Sequence, residues 1–416
     1  MINNAVIIND YGYVDGGASR IALQTAIGLA ARGVKVYFFC AVPPVSGELQ
    51  KDSIEIICLE QKDSLHCESK LRGFRQGIYN KKAAEELEKL LCGLSPCDTA
   101  IHIHTWTKAL SASVFHISEK AGFSTFVTVH DYFLVCPNGG LFDYRKKSIC
   151  ELKPMSLKCK TCNCDSRNYA YKLFRVMRQL RQNKIIRKSG KLHYIFISEF
   201  SRKQFVRRFG EISENKKYFL PNPMSRDPER KRVECEKNDV YLFIGGITEV
   251  KGIRIFCEAV EKTNVKAVVI GDGMLKEELQ SRYPHIDFVG WKTKSEMLPY
   301  FERARCLIFP SIWYEASPLT PKEVMEYGIP VICSDLNAAK DFVKDGETGY
   351  VYDGTSVDAL AETIRLVALS DITSVSEKVF KEAGYYMDEN EYTDELLKIY
   401  AHTCGGAAES GETEKE

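Results

Sequence analysis

The chain has 416 residues, of which 44% are hydrophobic and 27% are charged, and its formal net charge at pH 7 is +1. This composition is ordinary for a folded globular protein and excludes a disordered or collagen-like chain, while the near-zero charge indicates no nucleic-acid partner. Because one hydrophobic core seldom organises more than about 250–300 residues, the length predicts two domains of roughly 200 residues each.

The sequence contains no signal for a membrane span or for secretion. No window reaches 18 consecutive apolar residues, and the opening segment MINNAVIIND lacks the basic region of a signal peptide. Most of the 15 cysteines sit singly in apolar runs, such as Cys40, Cys306 and Cys333, which is typical of buried free thiols in a reducing compartment. We therefore expect a cytoplasmic protein.

The chain opens with a βαβ pattern. A strand at 5–9 leads into a loop holding Gly16 and Gly17, then a helix at about 19–31 and a second strand at 34–40. The two glycines would let a phosphate or a sugar approach the backbone closely before the helix begins. They do not form the GxGxxG dinucleotide fingerprint, so the pair alone is a weak indication.

Polar residues follow the next strands of the first half. One strand ends at His104, a helix is predicted at about 108–121, and the following strand delivers His130 and Asp131. Ligand groups of open parallel sheets lie at the carboxyl ends of strands, which makes these three side chains candidates for a site. A structural role for a lone histidine at a strand end is the alternative, and only its position supports His104.

The second half repeats the alternation of strands and helices. The predicted strands carry the segments DVYLFIGGI, VKAVVIGDG, IDFVGW, CLIFPS and PVICSD. The predicted helices between them lie at about 252–262, 275–283, 294–305 and 321–327. Strands that alternate with helices imply right-handed crossovers, so we predict an α/β protein with two doubly wound, Rossmann-like domains.

The domain boundaries follow from composition. The first domain is predicted to reach about residue 200, and the second to span 239–385, with a proline-rich and charged linker at 201–238 between them. A last helix at 386–404 could pack back on the first domain. The small and polar segment 405–416 is predicted to be a disordered tail.

Two glutamates in the segment PSIWYEASPLTPKEVMEYGIPVICS have a spacing that suits sugar recognition. Glu315 lies in the loop after a strand, and Glu323 follows eight positions later in the first turn of a helix whose start is marked by Pro321. Carboxylates placed in this way can accept hydrogen bonds from vicinal hydroxyls, as on a hexose and a ribose. Alternatively, Glu323 only complements the helix dipole and Glu315 is solvated.

This segment resembles the E-x7-E signature of the large retaining GT-B glycosyltransferase family usually called family 4, or glycosyltransferase group 1. The similarity extends over most of the chain in the family's order, through GGAS, AIHIHTW, VTVHDYFLVCP, PNP, KG, VVIGDG and DFVGW. The resemblance implies two Rossmann-like domains facing a cleft, the first binding the acceptor and the second the nucleotide sugar. It also implies transfer of a hexose from a UDP- or GDP-sugar to a glycan or lipid-linked acceptor with retention, in the synthesis of surface polysaccharide or glycolipid.

By resemblance, individual residues take roles in that cleft. Glu315 and the backbone after it hold the transferred sugar, Glu323 binds the ribose, and His130 touches the donor sugar. From their positions at strand ends, and not from the resemblance, His104 and Asp131 are predicted to bind the acceptor, and Asp131 could instead orient the ring of His130. The remaining donor-side residues are Gly16, Gly17, Gly245, Gly246, Ala316, Ser317, Pro318 and Leu319.

Lys251 is the predicted partner of the leaving group. It precedes Gly252 at a helix start, where free amides and the helix dipole favour a phosphate, and its charge would stabilise a departing diphosphate. Members of the resembling family commonly add an arginine two positions after the preceding strand, where this chain has Gly246. Lys251 therefore acts with backbone amides, or a basic residue from elsewhere substitutes.

No catalytic metal is expected, but a structural zinc is. The sequence has no Asp-x-Asp motif, which fits leaving-group stabilisation by helix ends and cations. The insert at about 136–165 contains Cys136, Cys150, Cys159, Cys162 and Cys164. Four of these thiolates, the first four or a set with Cys164 as the alternative ligand, would suffice for zinc. Incidental free thiols are the alternative.

The stretch from Ser166 to Ser198 contains no acidic residue. Its basic residues alternate with apolar ones near helical spacing, which predicts an interfacial helix that rests on anionic lipid. A solvated helix face or a groove for an anionic acceptor are the alternatives.

Two other functions stay open. A nucleotide-sugar epimerase of the same fold would use the donor cleft without an acceptor. A non-enzymatic nucleotide-binding scaffold is suggested by Gly246 in place of the arginine.

Overall fold

The computed structural model describes residues 2–225, 228–383 and 385–405. Of the tail predicted at 405–416, all but Gly405 lies outside these residues. The described part of the chain folds around two separate parallel sheets, which confirms the predicted α/β class. None of the helices in these ranges combines the length and the apolar character needed to cross a membrane.

The first domain is built on a seven-stranded sheet with the spatial order β3–β2–β1–β4–β5–β8–β9. Its strands are β1 (Asn4–Tyr11), β2 (Lys35–Val42), β3 (Ile54–Cys58), β4 (Thr99–Ile103), β5 (Thr125–Thr128), β8 (Leu192–Phe196) and β9 (Lys217–Phe219). The short strands β6 (Phe142–Asp143) and β7 (Ser148–Ile149) form a separate antiparallel hairpin. The helices are α1 (Gly17–Ala31), α2 (Lys70–Ile78), α3 (Lys81–Cys92), α4 (Ser113–Lys120), α5 (Leu157–Thr161), α6 (Tyr169–Ile186) and α7 (Glu199–Phe209).

The sheet is covered on both faces, as the continuous apolar runs of its strands predict. In β1, Val6 and Ile8 point into one hydrophobic cluster, while Ala5 and Ile7 point into another. This alternation follows from the two-residue repeat of a strand. The sheet therefore lies between two helical layers, and only its strand ends are left to form a site.

Two predicted boundaries differ from the structure of this domain. The first sheet continues past residue 200, because β9 pairs in parallel with β8. The helix predicted from Lys108 begins only at Ser113. The reason is Asp10, whose buried carboxylate accepts hydrogen bonds from the backbone amides of 108–110 at 2.9 Å each and so holds that segment as a loop.

The second domain is built on a six-stranded parallel sheet with the order β12–β11–β10–β13–β14–β15. Its strands are β10 (Val240–Ile244), β11 (Lys266–Ile270), β12 (Asp287–Gly290), β13 (Ala304–Phe309), β14 (Val331–Ser334) and β15 (Gly349–Tyr352). Its helices are α8 (Ile253–Thr263), α9 (Lys276–Arg282), α10 (Lys294–Phe301), α11 (Leu319–Met325), α12 (Val357–Leu369) and α13 (Thr373–Ala383). Because β10 pairs with both β11 and β13, the strand order reverses there, and a crevice opens at the carboxyl ends of β10 and β13.

The last helix, α14 (Glu389–Gly405), returns to the first domain. Its buried Tyr392, Leu396 and Tyr400 belong to the hydrophobic cluster on one face of the first sheet. The outgoing and returning segments meet between the domains, where the amide of Met224 donates to the carbonyl of Met387 at 2.9 Å. The two domains are thus joined by two neighbouring crossings of the chain.

The domains also touch along one edge of the cleft. The hydroxyl of Ser198 donates to the carbonyl of Ala316. The amide of Phe200 donates to Asp341 Oδ2 at 2.7 Å. These contacts bring the strand ends of the two sheets to face each other.

Candidate active site

A cavity of about 460 Å³ lies between the two domains. The first domain contributes the start of α1 and the loop after β5, and the second contributes the loop after β13 and the start of α11. The predicted residues that line it are Gly17, His130, Asp131, Lys251, Glu315, Ala316, Ser317, Pro318, Leu319 and Glu323. Residues far apart in sequence therefore converge on one site.

Four other predicted residues lie elsewhere. Gly16 and His104 line a smaller cavity of about 170 Å³, which adjoins the first and shares Gly17 and Asp131 with it. Gly245 and Gly246 are among the lining residues of neither cavity. The carbonyl of Gly245 faces the neighbouring strand end instead, since a Cβ at Gly271 would lie 1.9 Å from it.

A glycine positions Lys251 next to the loop after β13. Lys251 ends the short 3-10 turn Glu249–Lys251, and Gly252 follows with a φ of 72°. A Cβ at Gly252 would lie 1.9 Å from the carbonyl oxygen of Pro310, so only glycine fits. This close approach places Lys251 Nζ 2.6 Å from Glu315 Oε1.

Glu315 is a largely buried carboxylate that pairs with an ammonium group and accepts a hydrogen bond from a hydroxyl. Burial by itself would raise the pKa of Glu315, but the ammonium of Lys251 and the hydroxyl of Ser311, which donates at 2.6 Å, hold it below its ordinary value. Glu315 is therefore ionised at neutral pH and can accept hydrogen bonds from a bound sugar. The sequence did not reveal this ion pair, because its members are 64 residues apart.

Glu323 lies deeper in its helix than the sequence predicted. Because α11 begins at Leu319 rather than at Pro321, Glu323 is the fifth residue of the helix and lies beyond the turn where a carboxylate complements the dipole. Its side chain lines the cavity. Within residues 2–225, 228–383 and 385–405 its carboxylate has no ion-pair or hydrogen-bond partner, which leaves it available to ligand hydroxyls.

Three histidines form a column behind the cavity. His104 Nδ1 lies 3.0 Å from His130 Nε2, and the ring of His102 packs on His104 at 4.2 Å between centroids. His102 is fixed by Tyr400 of α14 at 2.6 Å. Burial lowers the pKa of His102 and of His130 to about 3, and that of His104 well below its ordinary value. His130 thus reaches the cavity as a neutral imidazole that can exchange hydrogen bonds with a hydroxyl.

Asp131 stands where the two cavities meet. Burial raises the pKa of Asp131 to about 6, and a hydrogen bond from the amide of Phe133 at 2.9 Å only partly offsets that effect. A carboxylate at this junction can accept a hydrogen bond from a hydroxyl that approaches from the smaller cavity.

The cysteine insert packs over the site. Among the described residues, no group of three or more His, Cys, Asp or Glu side chains is arranged to hold a metal ion. Cys136 donates to Asn138, Cys162 donates to the carbonyl of Cys159, and Lys172 donates to Cys164 at 3.3 Å. None of these cysteines, including Cys150, forms a disulfide with another described residue. The geometry gives the predicted zinc site no support, and the site stays a prediction.

The insert also contacts the second domain's side of the cleft. Lys147, in the β6–β7 hairpin, pairs with Glu249 at 2.7 Å, two residues before Lys251. A Cβ at Gly140 would lie 3.4 Å from the indole of Trp313.

Three residues belong to the site but were not predicted from the sequence, namely Trp313, Ser311 and Arg20. Only Arg20 had a visible signal, since it follows the glycine pair on the helix.

The basic stretch forms helix α6, but not with a uniformly basic face. Lys172 and Arg178 are buried, which contradicts a helix that presents all its cations to a surface. The apolar residues of the helix divide between two sides, because Val176 and Ile185 face the core. The outward stripe, with side chains between 41% and 49% exposed, consists of Tyr169, Leu173, Met177 and Leu180.

A comparison with protein families adds an independent observation on the second domain. Residues 225–385 match the family model described as glycosyl transferases group 1. These residues include Lys251, Glu315 and Glu323.

Curated relatives match part of the chain. A D-rhamnosyltransferase, WbpZ, of Pseudomonas aeruginosa is 24% identical over 177 residues, which are 40% of this chain and 46% of that protein. The O-antigen chain mannosyltransferase B of Escherichia coli is 26% identical over 209 residues, which are 42% of this chain and 51% of that protein. The chain therefore spans about half the length of the curated relatives it matches.

Solved structures match nearly the whole chain. Sucrose-phosphate synthase from Thermosynechococcus elongatus superposes with a TM-score of 0.72 at 18% identity, covering 98% of this chain and 100% of that one. Anabaena HepE in complex with UDP-glucose superposes with a TM-score of 0.65 at 14% identity, covering 96% and 99%. The chain has the GT-B fold, as the resemblance implied.

The histidine column predicts acid sensitivity of the fold. In the unfolded chain each histidine takes up a proton near its ordinary pKa of about 6.5, whereas the folded column resists protonation to a much lower pH. The free energy of unfolding should therefore fall as the pH drops below about 6.5, by about 1.4 kcal/mol per pH unit for each histidine. A His104→Gln variant should show a slope shallower by about that amount in urea unfolding between about pH 5 and pH 7.

Replacement of the exposed His285 by Gln is the matched control. An unchanged slope in His104→Gln would contradict a neutral, buried His104.

Proposed function

We propose that this protein is a glycosyltransferase that moves a hexose from a nucleotide diphosphate sugar to an acceptor hydroxyl with retention of anomeric configuration. The observation that carries the proposal is the convergence of Lys251, Glu315 and Glu323 on one interdomain cavity. The family match of the second domain and the GT-B fold support it.

The donor side of the cavity offers a group for each part of a nucleotide sugar. Glu323, which has no described partner, suits the ribose hydroxyls, while Glu315 and the backbone of 316–319 suit the hexose. Lys251 stands beside Glu315, where it can neutralise the diphosphate as the bond to the anomeric carbon breaks. Neutral His130 would orient a sugar hydroxyl without adding charge.

The smaller cavity supports an acceptor. It shares Gly17 and Asp131 with the main cavity, so an acceptor hydroxyl bound there would lie near a donor that contacts His130. In the proposed step its oxygen bonds to the anomeric carbon on the face that the diphosphate leaves, and its proton passes to the departing oxygen. An epimerase would need no such second cavity, which makes the transferase the better proposal.

The relatives suggest the class of product. WbpZ is a D-rhamnosyltransferase, and the Escherichia coli relative is an O-antigen chain mannosyltransferase. HepE was solved with UDP-glucose. We infer a role in surface polysaccharide or glycolipid assembly with a UDP- or GDP-hexose as donor.

The proposed donor site predicts selective nucleotide binding. Calorimetry and thermal shift with UDP, GDP, ADP and their hexose conjugates should show binding of one nucleotide. Glu323→Gln and Lys251→Ala should each weaken that binding by roughly 10- to 100-fold, because each removes a hydrogen bond to or from a charged group. Analysis of the product anomer by NMR would then test retention.

Exposed residues of the same types serve as controls. Glu362→Gln on α12 and Lys381→Ala on α13 should bind nucleotide as the wild type does. Binding of a nucleotide without any transfer to acceptors would favour the scaffold, and turnover of the sugar nucleotide alone would favour the epimerase.

We also propose that transfer needs no divalent ion, since Lys251 and amide groups can stabilise the leaving group. Activity should persist in EDTA. Loss of turnover that magnesium restores would contradict this. Metal content measured before and after chelation separates the catalytic question from the structural zinc, because zinc bound by the insert would be detected even if it takes no part in turnover.

The outward stripe of α6 supports contact with a membrane. It continues onto α2, where Leu71 and Phe74 are exposed, and the rings of Phe74 and Phe174 lie 5.5 Å apart. Neither helix contains an acidic residue. Such a surface would bring the cleft to a lipid-linked acceptor at the inner face of the cytoplasmic membrane.

The membrane proposal predicts binding to anionic vesicles. The wild type should co-sediment with phosphatidylglycerol-containing vesicles at low salt, and Leu173→Glu combined with Met177→Glu should reduce binding at least about 10-fold, because the two changes remove apolar area and add repulsion. Leu369→Glu, at a leucine that is 90% exposed on the other domain, is the control. Equal binding of all three proteins would contradict the α6 surface.

A further inference from the structure

The charges that line the main cavity are unevenly paired. Its cationic side chains are those of Arg20 and Lys251, and its carboxylates are those of Asp131, Glu315 and Glu323. Lys251 and Glu315 form an ion pair at 2.6 Å and largely cancel each other. Arg20 is thus the lining cation outside this ion pair, and the remaining carboxylates are those of Asp131 and Glu323.

Arg20 has no counterion. It is the fourth residue of α1 and is exposed to the cavity. In the ranges 2–225, 228–383 and 385–405, its guanidinium takes part in no hydrogen bond or ion pair. Other cations around the cleft are engaged, since Lys108 pairs with Asp15 at 2.6 Å and Lys147 pairs with Glu249 at 2.7 Å.

The surroundings of Arg20 suit an anion rather than a neutral group. Helix α1 has no acidic residue in its first turn and no side chain that caps its free amides. The space beside Gly16 and Gly17 is open, since a Cβ at either position would meet no atom within 4 Å. The positive end of the helix dipole and an arginine fork therefore face the same space, a combination that favours phosphate.

The opposite wall of the cavity lacks a second cation. The resemblance implies an arginine where this chain has Gly246, and nothing in the local geometry forbids a side chain there. A Cβ at Gly246 would have only the methyl group of Thr248 nearby, at 3.9 Å. A bound diphosphate carries about two negative charges, so Lys251 alone, already shared with Glu315, leaves it undercompensated.

We infer that Arg20 supplies the second cation for the donor diphosphate, reaching it from the first domain while Lys251 reaches it from the second. This inference rests on the proposed function and assigns a specific residue to its leaving-group site. The diphosphate is then held between the domains, and the anomeric carbon is presented toward the cavity that admits the acceptor. Arg20 is a diphosphate-binding residue in this arrangement.

The test compares nucleotides that differ only in the number of phosphates. Wild type, Arg20→Gln and the control Arg72→Gln, an exposed arginine on α2, are titrated by calorimetry with the preferred nucleoside diphosphate and with its monophosphate. Arg20→Gln should bind the diphosphate roughly 10- to 100-fold more weakly and the monophosphate almost unchanged, since the lost contact is to the terminal phosphate. Arg72→Gln should match the wild type for both.

A second variant guards against loss through misfolding. Adding Gly246→Arg to Arg20→Gln should restore much of the diphosphate affinity, because it adds a guanidinium in the second domain at the position where the resemblance implies one, and the space beside Gly246 admits a side chain. Unchanged diphosphate binding in Arg20→Gln, or an equal loss of both nucleotides, would overturn the role of Arg20 while leaving the proposed function intact. Failure of the wild type to bind any nucleotide would overturn the proposed function and the inference with it.

Discussion

The site depends on the ion pair between Lys251 and Glu315, which links the two loops at the carboxyl ends of β10 and β13. The two atoms of the pair lie 2.6 Å apart, and next to Lys251 the backbone of Gly252 lies against the carbonyl of Pro310, a contact that no side chain would permit. A charge taken out of water is costly unless it is paired, and the ammonium of Lys251 keeps the carboxylate of Glu315 ionised. The pair places a cation and an anion next to each other, and under the proposed function the cation would serve the phosphate and the anion the sugar.

On the wall formed by the first domain, three buried and uncharged histidine rings support the site. The column of His102, His104 and His130 is neutral, since burial disfavours the protonated form of each ring. Its far end is anchored by Tyr400, so the helix that closes the chain supports a residue of the cleft through two intervening rings. The wall of the first domain thus combines an uncharged hydrogen-bonding group, His130, with the charged side chains of Arg20 and Asp131.

The sequence predicted the class of fold and most of the residues that meet in the cavity. Alternating strands and helices predict the doubly wound sheets, and the end of a strand indicated His130. Glu315 and Glu323 were indicated by their spacing and by the resemblance to the E-x7-E signature, and both line the cavity. What it could not predict depends on tertiary contacts. The late start of α4 follows from the carboxylate of Asp10, which lies about a hundred positions earlier in the chain.

The same limit applies to charge and exposure. Lys172 and Arg178 look like surface residues in a basic stretch, yet both are buried, because a carbonyl or a thiol at the right place satisfies them. The proposed role of Arg20 likewise depends on its surroundings. Neighbouring cations have counterions, whereas Arg20 has none among the described residues. Periodicity predicts which side of a helix a residue occupies, but not which hydrogen-bond or ion-pair partners it meets in the folded protein.

The double crossing between the domains constrains how the cleft can open. A single connecting segment would let one domain rotate freely relative to the other. Here the outgoing and returning segments lie next to each other, and the amide of Met224 donates a hydrogen bond to the carbonyl of Met387. Two crossings that are hydrogen-bonded to each other restrict rotation of one domain relative to the other more than a single crossing would. Under the proposed function, substrate entry and product exit would share this restricted opening of the cleft.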